Sequence, residues 1–281
     1  MSGTLYIIGT PIGNLEDITL RQLRKLGEVD FIAAEDTRVT RKLLTHYDIK
    51  TPLVSFHEHS GETGAQKIAA RILEGENCGI VTDAGMPCIS DPGEPLIKLC
   101  YEMNIPVTTV PGPSAVITAI AIAGMASGQF VFEGFLPVPK KERTERLKRL
   151  SAETRTIILY EAPHKLVRTL ADLGEVLGGG REISLCRELT KIHEEVIRTN
   201  LGEALKIYEE KEPRGEYVLV IAGGENASSE EKSFTLEEAA AIAEKYTEEG
   251  MKKREACKKA ALETGLRSND IYAFLQDRKE I

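Results

Sequence analysis

The stretch Thr82-Asp83-Ala84-Gly85-Met86-Pro87-Cys88-Ile89-Ser90-Asp91-Pro92-Gly93 decides how this chain folds. It follows Gly79-Ile80-Val81, an apolar run that reads as the end of a buried strand. It precedes residues 94–103, which read as a helix. A carboxylate at a strand end, then glycine and prolines, then a helix N-terminus, outline a ligand crevice in an open α/β sheet. Gly85 lets a ligand approach the backbone, while Pro87 and Pro92 stiffen the loop. Gly, Pro and Asp are also ordinary turn residues, so a plain connection is the competing reading. Such a connection would be shorter.

Outward from this loop the chain alternates. Apolar runs over 5–8, 29–34, 53–56, 78–82 and 107–110 read as strands. Helical spacing separates them over 18–26, 38–47, 66–73 and 94–103, and continues from Ala115 to about residue 123. Strands and helices in turn mean a parallel sheet with right-handed crossovers. A small-residue break at 124–129 opens a second set, with strands over 130–135, 156–160, 182–186, 194–198 and 217–222 and helices over 140–150, 165–173 and 201–208. The strands at 182–186 and 194–198 lie a short loop apart, which predicts a mixed sheet. Residues 223–233 (GGENASSEEKS) form a polar linker. Beyond it, 236–248, 252–264 and 268–275 read as helices without strand partners. Thr235 followed by Glu238 is a capping-box pattern that marks a fresh start. The expectation is an α/β protein with an N-terminal αβα lobe at 1–115 on a parallel sheet. A C-terminal αβα lobe at 116–223 sits on a mixed sheet, and a small helical extension covers 224–281.

With 281 residues, 42% hydrophobic and 28% charged, the chain can fill two cores. Asp+Glu of 44 against Lys+Arg of 36 leaves a net charge of −8. This argues against a nonspecific nucleic-acid coat but leaves local basic patches open. The five cysteines contain no Cys-x-x-Cys pair, which points to reduced thiols in a cytoplasmic protein and away from a disulfide framework. No apolar run is long enough to span a membrane.

Several strand ends carry polar loops. Gly9-Thr10-Pro11-Ile12-Gly13-Asn14 follows the first strand but lacks the G-x-G-x-x-G of a dinucleotide site and the Gly-Lys-Ser/Thr of a phosphate loop. Gly112-Pro113-Ser114 resembles a hydrolase elbow, yet Val116 stands where the last glycine belongs. Ser114 is read instead as a helix N-cap beside a ligand. Glu35-Asp36-Thr37-Arg38, Tyr160-Glu161-Ala162-Pro163-His164-Lys165 and Arg187-Glu188-Leu189-Thr190-Lys191 each place acids and bases at a strand end. Charged turns are usually solvated, but three of them drawn from both halves fit a shared cleft. His57-Glu58-His59 lacks a third ligand at helical spacing, and no metal is expected. Lys140, Lys141, Arg143, Arg146, Lys148 and Arg149 form one basic run, and Lys252, Lys253, Arg254, Lys258 and Lys259 another. Both read as solvated faces or as contacts for a phosphate backbone.

Together, GTPIGNLEDIT, AAEDTR, TDAGMPCISDPG, VPGPSA, YEAPHK, RELTKIHEE and RGEYVLVI resemble the tetrapyrrole-methylase-type, class III S-adenosylmethionine methyltransferases over about residues 5–222. The closer resemblance is to the branch that methylates ribosomal RNA. A corrin or porphyrin methylase, the alternative, would show a GDP-type loop where this chain has Asp83-Ala84-Gly85. The resemblance implies S-adenosyl-L-methionine between two lobes and a homodimer. It implies 2′-O-methylation of a decoding-centre cytidine in 16S rRNA of the small ribosomal subunit, with the tail helices holding RNA. Cofactor contacts implied are Pro11, Thr82, Asp83, Ala84, Gly85, Met86, Ser114, Ala115, Glu161 and Leu189. Asp83 suits the cofactor's ammonium or ribose hydroxyls. Glu161, Glu35, Asp36 and His164 are the candidate bases, and Arg38, Lys165, Arg187 and Lys191 the candidate phosphate or ribose contacts.

Overall fold

The structure, a computed structural model, describes residues 2–224, 235–248, 250–264 and 266–277. Its first sheet holds β1 (Leu5–Ile8), β2 (Phe31–Ala34), β3 (Leu53–Ser55), β4 (Cys78–Val81) and β5 (Val107–Val110). The order is β3-β2-β4-β1-β5, and every pairing is parallel. Strands β2 and β4 are buried throughout, as strands covered on both faces must be. Helices α1 (Leu20–Glu28) and α2 (Thr37–His46) set Leu26 and Leu44 against one face, with Ile8, Ile32, Ala34 and Val110. On the other face, α3 (Gly61–Leu73) and α4 (Glu94–Glu102) pack Ile68, Ile72, Leu96 and Cys100 against Leu5, Phe31 and Ile80. The helix expected from residue 66 begins at Gly61 instead. Its Gly-Glu-Thr-Gly opening reads locally as a loop, but Ala65 and Ile68 bury that turn.

The second sheet holds β6 (Phe130–Phe135), β7 (Thr156–Glu161), β8 (Glu182–Arg187), β9 (Glu195–Asn200) and β10 (Tyr217–Ile221) in the order β6-β7-β10-β8-β9. Only β6 and β7 run parallel, and the β8–β9 hairpin is antiparallel as its short loop requires. What the local pattern does not reveal is that β10 inserts antiparallel between β7 and β8. Helices α6 (Lys140–Leu150), α7 (Pro163–Leu177) and α8 (Leu201–Glu210) cover one face through Leu147, Leu166, Leu170 and Ala204. The other face is closed by α5 (Ala115–Ala123), whose Val116, Ala119 and Ile120 meet Ile158, Val218 and Val220. Helix α7 starts two residues earlier than its spacing indicates, because Pro163 fits the first helical turn. The basic run on α6 is not one solvated face. Arg143 is buried and paired with Asp172 at 2.6 Å, and Arg146 pairs with Glu133.

Contacts divide the chain after Gly224. The polar linker expected over 223–233 lies, from residue 225 onward, outside the described residues. The second unit packs α9 (Leu236–Glu248), α10 (Lys253–Thr264) and α11 (Ser268–Asp277) around Ala239, Ala243, Ala256, Ala260, Ile271 and Leu275. The capping box forms as its pattern predicts: Glu238 N–H donates to Thr235 Oγ1 at 3.2 Å and Thr235 N–H to the Glu238 carboxylate at 2.9 Å. Among the described residues no helix is long and apolar enough to cross a membrane.

Candidate active site

In a parallel sheet the carboxyl ends of all strands share one edge, so the loops after β1, β4 and β5 converge. They are tied directly to one another. Thr10 N–H donates to Gly85 O at 2.8 Å, Gly85 N–H returns to Thr10 O at 3.1 Å, and Thr10 Oγ1 donates to Thr82 O at 3.1 Å. Gly85 has φ +84°, a left-handed conformation that glycine adopts without strain. The loops after β1 and β5 touch backbone to backbone. A Cβ on Gly9 would lie 2.9 Å from Gly112 Cα and 2.8 Å from Met86 Sδ. Gln22 locks this junction, its Nε2 donating to Gly9 O at 2.5 Å.

Facing these loops are the ends of β7 and β8 and the beginning of the reversed β10. Between them lies a cavity of about 550 Å³, within the range of small-molecule sites. Thr82, Asp83, Ala84, Gly85, Met86, Ser114, Ala115, Glu161 and Leu189, all read from sequence as cofactor contacts, line it. So do Glu35, His164 and Lys191. Pro11 borders a smaller neighbouring cavity of about 240 Å³ with Thr10, Thr82 and Asp83. Lys165 and Arg187 do not line the main cavity, and Arg187 Nε is paired with Glu195 at 3.0 Å.

Several candidates are engaged in ways the sequence does not show. Asp36 caps α2, accepting Arg38 N–H at 2.8 Å, and its carboxylate pairs with the Arg38 guanidinium at 2.6 Å. The Arg38 side chain followed by its backbone N–H holds the Asp36 carboxyl down at about 2. A carboxylate so held is a poor base, and it lies outside the cavity lining. Glu161 is buried and fully engaged: Ala162 N–H donates to it at 2.9 Å and Thr169 Oγ1 at 2.5 Å. Arg143 then donates to Thr169 Oγ1 at 2.8 Å, so Glu161 anchors the start of α7. Ser114 occupies the N-cap position of α5, but its hydroxyl makes no capping bond and lines the cavity instead. Glu35 accepts the Thr82 hydroxyl at 2.5 Å. Lys191 is paired with Glu188 at 2.9 Å and Glu216 at 3.0 Å, which bridges two second-lobe loops.

Two lining residues escape a reading by motif. Asp91 lies within the quoted stretch and reaches the cavity from a loop in which Cys88 and Ser90 adopt left-handed φ of +69° and +61°. Burial, then the charge of Glu35, push its carboxyl up to about 6 against the opposing Thr82 hydroxyl. Asp83 is raised as well, first by burial. Tyr160 stacks with Phe132 and Phe135 at centroid separations of 5.0 and 5.6 Å, and its hydroxyl is pushed up to about 12 by burial and then by Asp91. The only sequence signal for Asp91 is its place in the loop, because Glu35 and Thr82, which act on it, follow the ends of β2 and β4. Among the described residues no group of three His, Cys, Asp or Glu is placed to hold a metal ion.

The cavity fits a cationic nucleoside bearing an amino acid. Backbone lies open along one wall, Asp83, Glu35 and Asp91 face it as acceptors, and Ile12, Met86, Ala115 and Leu189 offer apolar surface. The family model for Tetrapyrrole (Corrin/Porphyrin) Methylases matches residues 4–205. A Halalkalibacterium halodurans protein named ribosomal RNA small subunit methyltransferase I is 44% identical over 96% of this chain and 93% of its own length. Its Escherichia coli O157:H7 namesake is 42% identical over 99% and 96%. The Thermotoga maritima namesake is 48% identical over 79% of this chain and all of its own. Among solved structures, a cobalt precorrin-4 methyltransferase of cobalamin biosynthesis superposes with a TM-score of 0.59 at 19% identity, over 78% of this chain and 94% of that one. A Thermus thermophilus uroporphyrin-III C-methyltransferase complexed with S-adenosyl homocysteine gives 0.57 at 15%, over 78% and 97%. On its sequence match, its two-lobed fold and its cleft, the chain belongs to the tetrapyrrole (corrin/porphyrin) methylase family.

Proposed function

We propose that this chain is an S-adenosylmethionine-dependent methyltransferase of small-subunit ribosomal RNA, acting on the ribose 2′-hydroxyl of a decoding-centre cytidine in 16S rRNA. What carries the reading is the 44% identity, over 96% of the chain, to a protein named ribosomal RNA small subunit methyltransferase I. The porphyrinoid methylases are alike at 20% identity or less, which speaks for fold alone. The five free cysteines fit a reducing compartment such as the bacterial cytoplasm, and the family resemblance supports a homodimer.

The cofactor, when bound, supplies a methyl group already activated on a sulfonium, so the protein's tasks are alignment and proton removal. Thr82 to Met86 and Ser114-Ala115, which line the cavity, would hold the donor on the first lobe, with Asp83 accepting from its ammonium or ribose hydroxyls. Leu189 would contact it from the second lobe. Asp91 would hold the ribose hydroxyl and accept its proton, while the donor's carbon–sulfur bond would break to leave the neutral thioether. Burial, then the charge of Glu35, push the Asp91 carboxyl up to about 6, toward the range where a general base works best. Glu161 orients α7 through Thr169. The test supplies labelled S-adenosylmethionine with three acceptors: small subunits lacking the modification, naked 16S rRNA, and uroporphyrinogen III. Label in either ribosomal acceptor is expected. Label only in the porphyrinoid would overturn the proposal.

A further inference from the structure

Helix α2 runs away from the mouth of the cleft. At its start, the backbone N–H of Asp36 donates to the Asp83 carboxylate at 3.1 Å. Arg38, Arg41, Lys42, Thr45 and His46 follow along the helix, and all are exposed. Positions i, i+3, i+4, i+7 and i+8 share one helix face, and these side chains line one shallow groove. Lys42 also borders the small cavity that contains Pro11, Thr82 and Asp83, so the row and the cleft are continuous.

Two features of this row bear on what it binds. The first is charge without local compensation. In a chain of net charge −8, Arg143, Arg146, Arg187 and Lys191 all have acidic partners. Among the ion pairs of the described residues, Arg41 and Lys42 have none, and only Arg38 is held, by Asp36. The second is spacing. Arg38, Arg41 and Lys42 stand at i, i+3 and i+4, and like charges at that spacing repel. Such an arrangement weakens the free helix and is compensated when a polyanion lies along it. On α6, by comparison, Arg143 is turned into the core and Arg146 is paired with Glu133, while Lys140, Lys141, Lys148 and Arg149 are exposed.

We infer that the Arg38, Arg41, Lys42, His46 face of α2 is a phosphate-binding track, which grips the RNA backbone beside the nucleotide whose ribose enters the cleft. This rests on the RNA-methylation reading and adds where the substrate lies. From Arg38 to His46 the track is roughly 12 Å long, at about 1.5 Å per residue.

The test uses the full chain carrying Arg41→Ala and Lys42→Ala together. Both side chains are exposed, so an unchanged melting temperature and S-adenosylmethionine affinity verify the fold. The KM for small subunits is expected to rise at least tenfold, with kcat within twofold. The slope of log affinity against log salt should flatten by roughly 1.5, the loss of two phosphate contacts. An Arg41→Lys, Lys42→Arg swap should retain wild-type KM. Lys67→Ala with Lys98→Ala, on α3 and α4 across the sheet, should change neither quantity. An unaltered KM and salt slope in the double alanine variant, with the wild type methylating RNA, would overturn the track alone. An equal loss in the α3 and α4 variant would overturn it too. A wild type that transfers no methyl to RNA would remove the functional reading and this inference together.

Discussion

The first lobe runs all five strands one way and sends the loops after β1, β4 and β5 to a single edge. The second reverses β10 between β7 and β8, so Glu216, Tyr217 and Val218 at the start of that strand meet the ends of its neighbours. The two lobes consequently offer different chemistry to one cavity. The first presents backbone held at close quarters, with Thr10 and Gly85 cross-bonded and Gly9 against Gly112, together with three acceptor carboxylates. The second presents side chains: aromatic Phe135 and Tyr160, with Phe132 packed behind Tyr160, apolar Leu189 and Val218, and the anchored Glu161. A wall made of backbone tolerates no added atom, whereas a wall made of side chains tolerates reshaping. Substitutions on the two sides should therefore fail differently.

The largest effect is expected on the first-lobe side. Asp91→Asn should lower kcat by about 10²-fold to 10⁴-fold, the usual contribution of a general base, with S-adenosylmethionine affinity changed far less. The base must be ionised and its carboxyl sits at about 6. In the wild type kcat/KM should therefore fall as pH drops below that value and level off above it. The asparagine variant should lose this limb, and a limb that survived would assign the base elsewhere. Gly9→Val comes next. Its Cβ would lie 2.9 Å from Gly112 Cα. Overpacking of this kind costs about 1–3 kcal/mol, which should weaken cofactor binding by roughly tenfold to hundredfold in calorimetry.

Second-lobe substitutions should be milder and reach activity through stability. Thr169→Val leaves Glu161 and Arg143 without their shared hydroxyl. Unfolding in urea should show a loss of about 1–3 kcal/mol with the denaturant slope unchanged. The smallest effect belongs to Phe135→Leu, on a side chain that is 54% exposed. Stability should move by less than about 0.5 kcal/mol, with a severalfold rise in the RNA KM as the only kinetic sign. A Phe135 variant as damaging as Asp91→Asn would break the contrast between the lobes.

Much of this arrangement was legible in residue order. The run 82–93 shows a strand end, an open backbone and a helix start, because each is a local property. The hairpin loop between β8 and β9 likewise announced a mixed sheet. Pairings between distant residues were not legible. Thr82 and Glu35 lie 47 residues apart, and it is Glu35, with burial, that tunes Asp91. The engagement of Glu161, at the end of β7, depends on Thr169 from α7 and Arg143 from α6, and nothing in Tyr160-Glu161-Ala162-Pro163 signals it. Nor did the insertion of β10 follow from any local pattern. The basic runs misled in a related way: a count of lysines and arginines cannot tell Arg143, held inside by Asp172, from the unpaired Arg41 on α2.

The central claim is methyl transfer to a ribose oxygen of small-subunit RNA, and the most direct measurement locates the methyl group. Small subunits lacking the modification are incubated with the protein and labelled S-adenosylmethionine, and their 16S rRNA is then digested with alkali. A 2′-O-methyl group blocks attack of that oxygen on the adjacent phosphate, so the label should emerge in a single alkali-resistant dinucleotide that begins with cytidine. Label recovered as a base-methylated mononucleotide, or no incorporation into the RNA, would contradict the account.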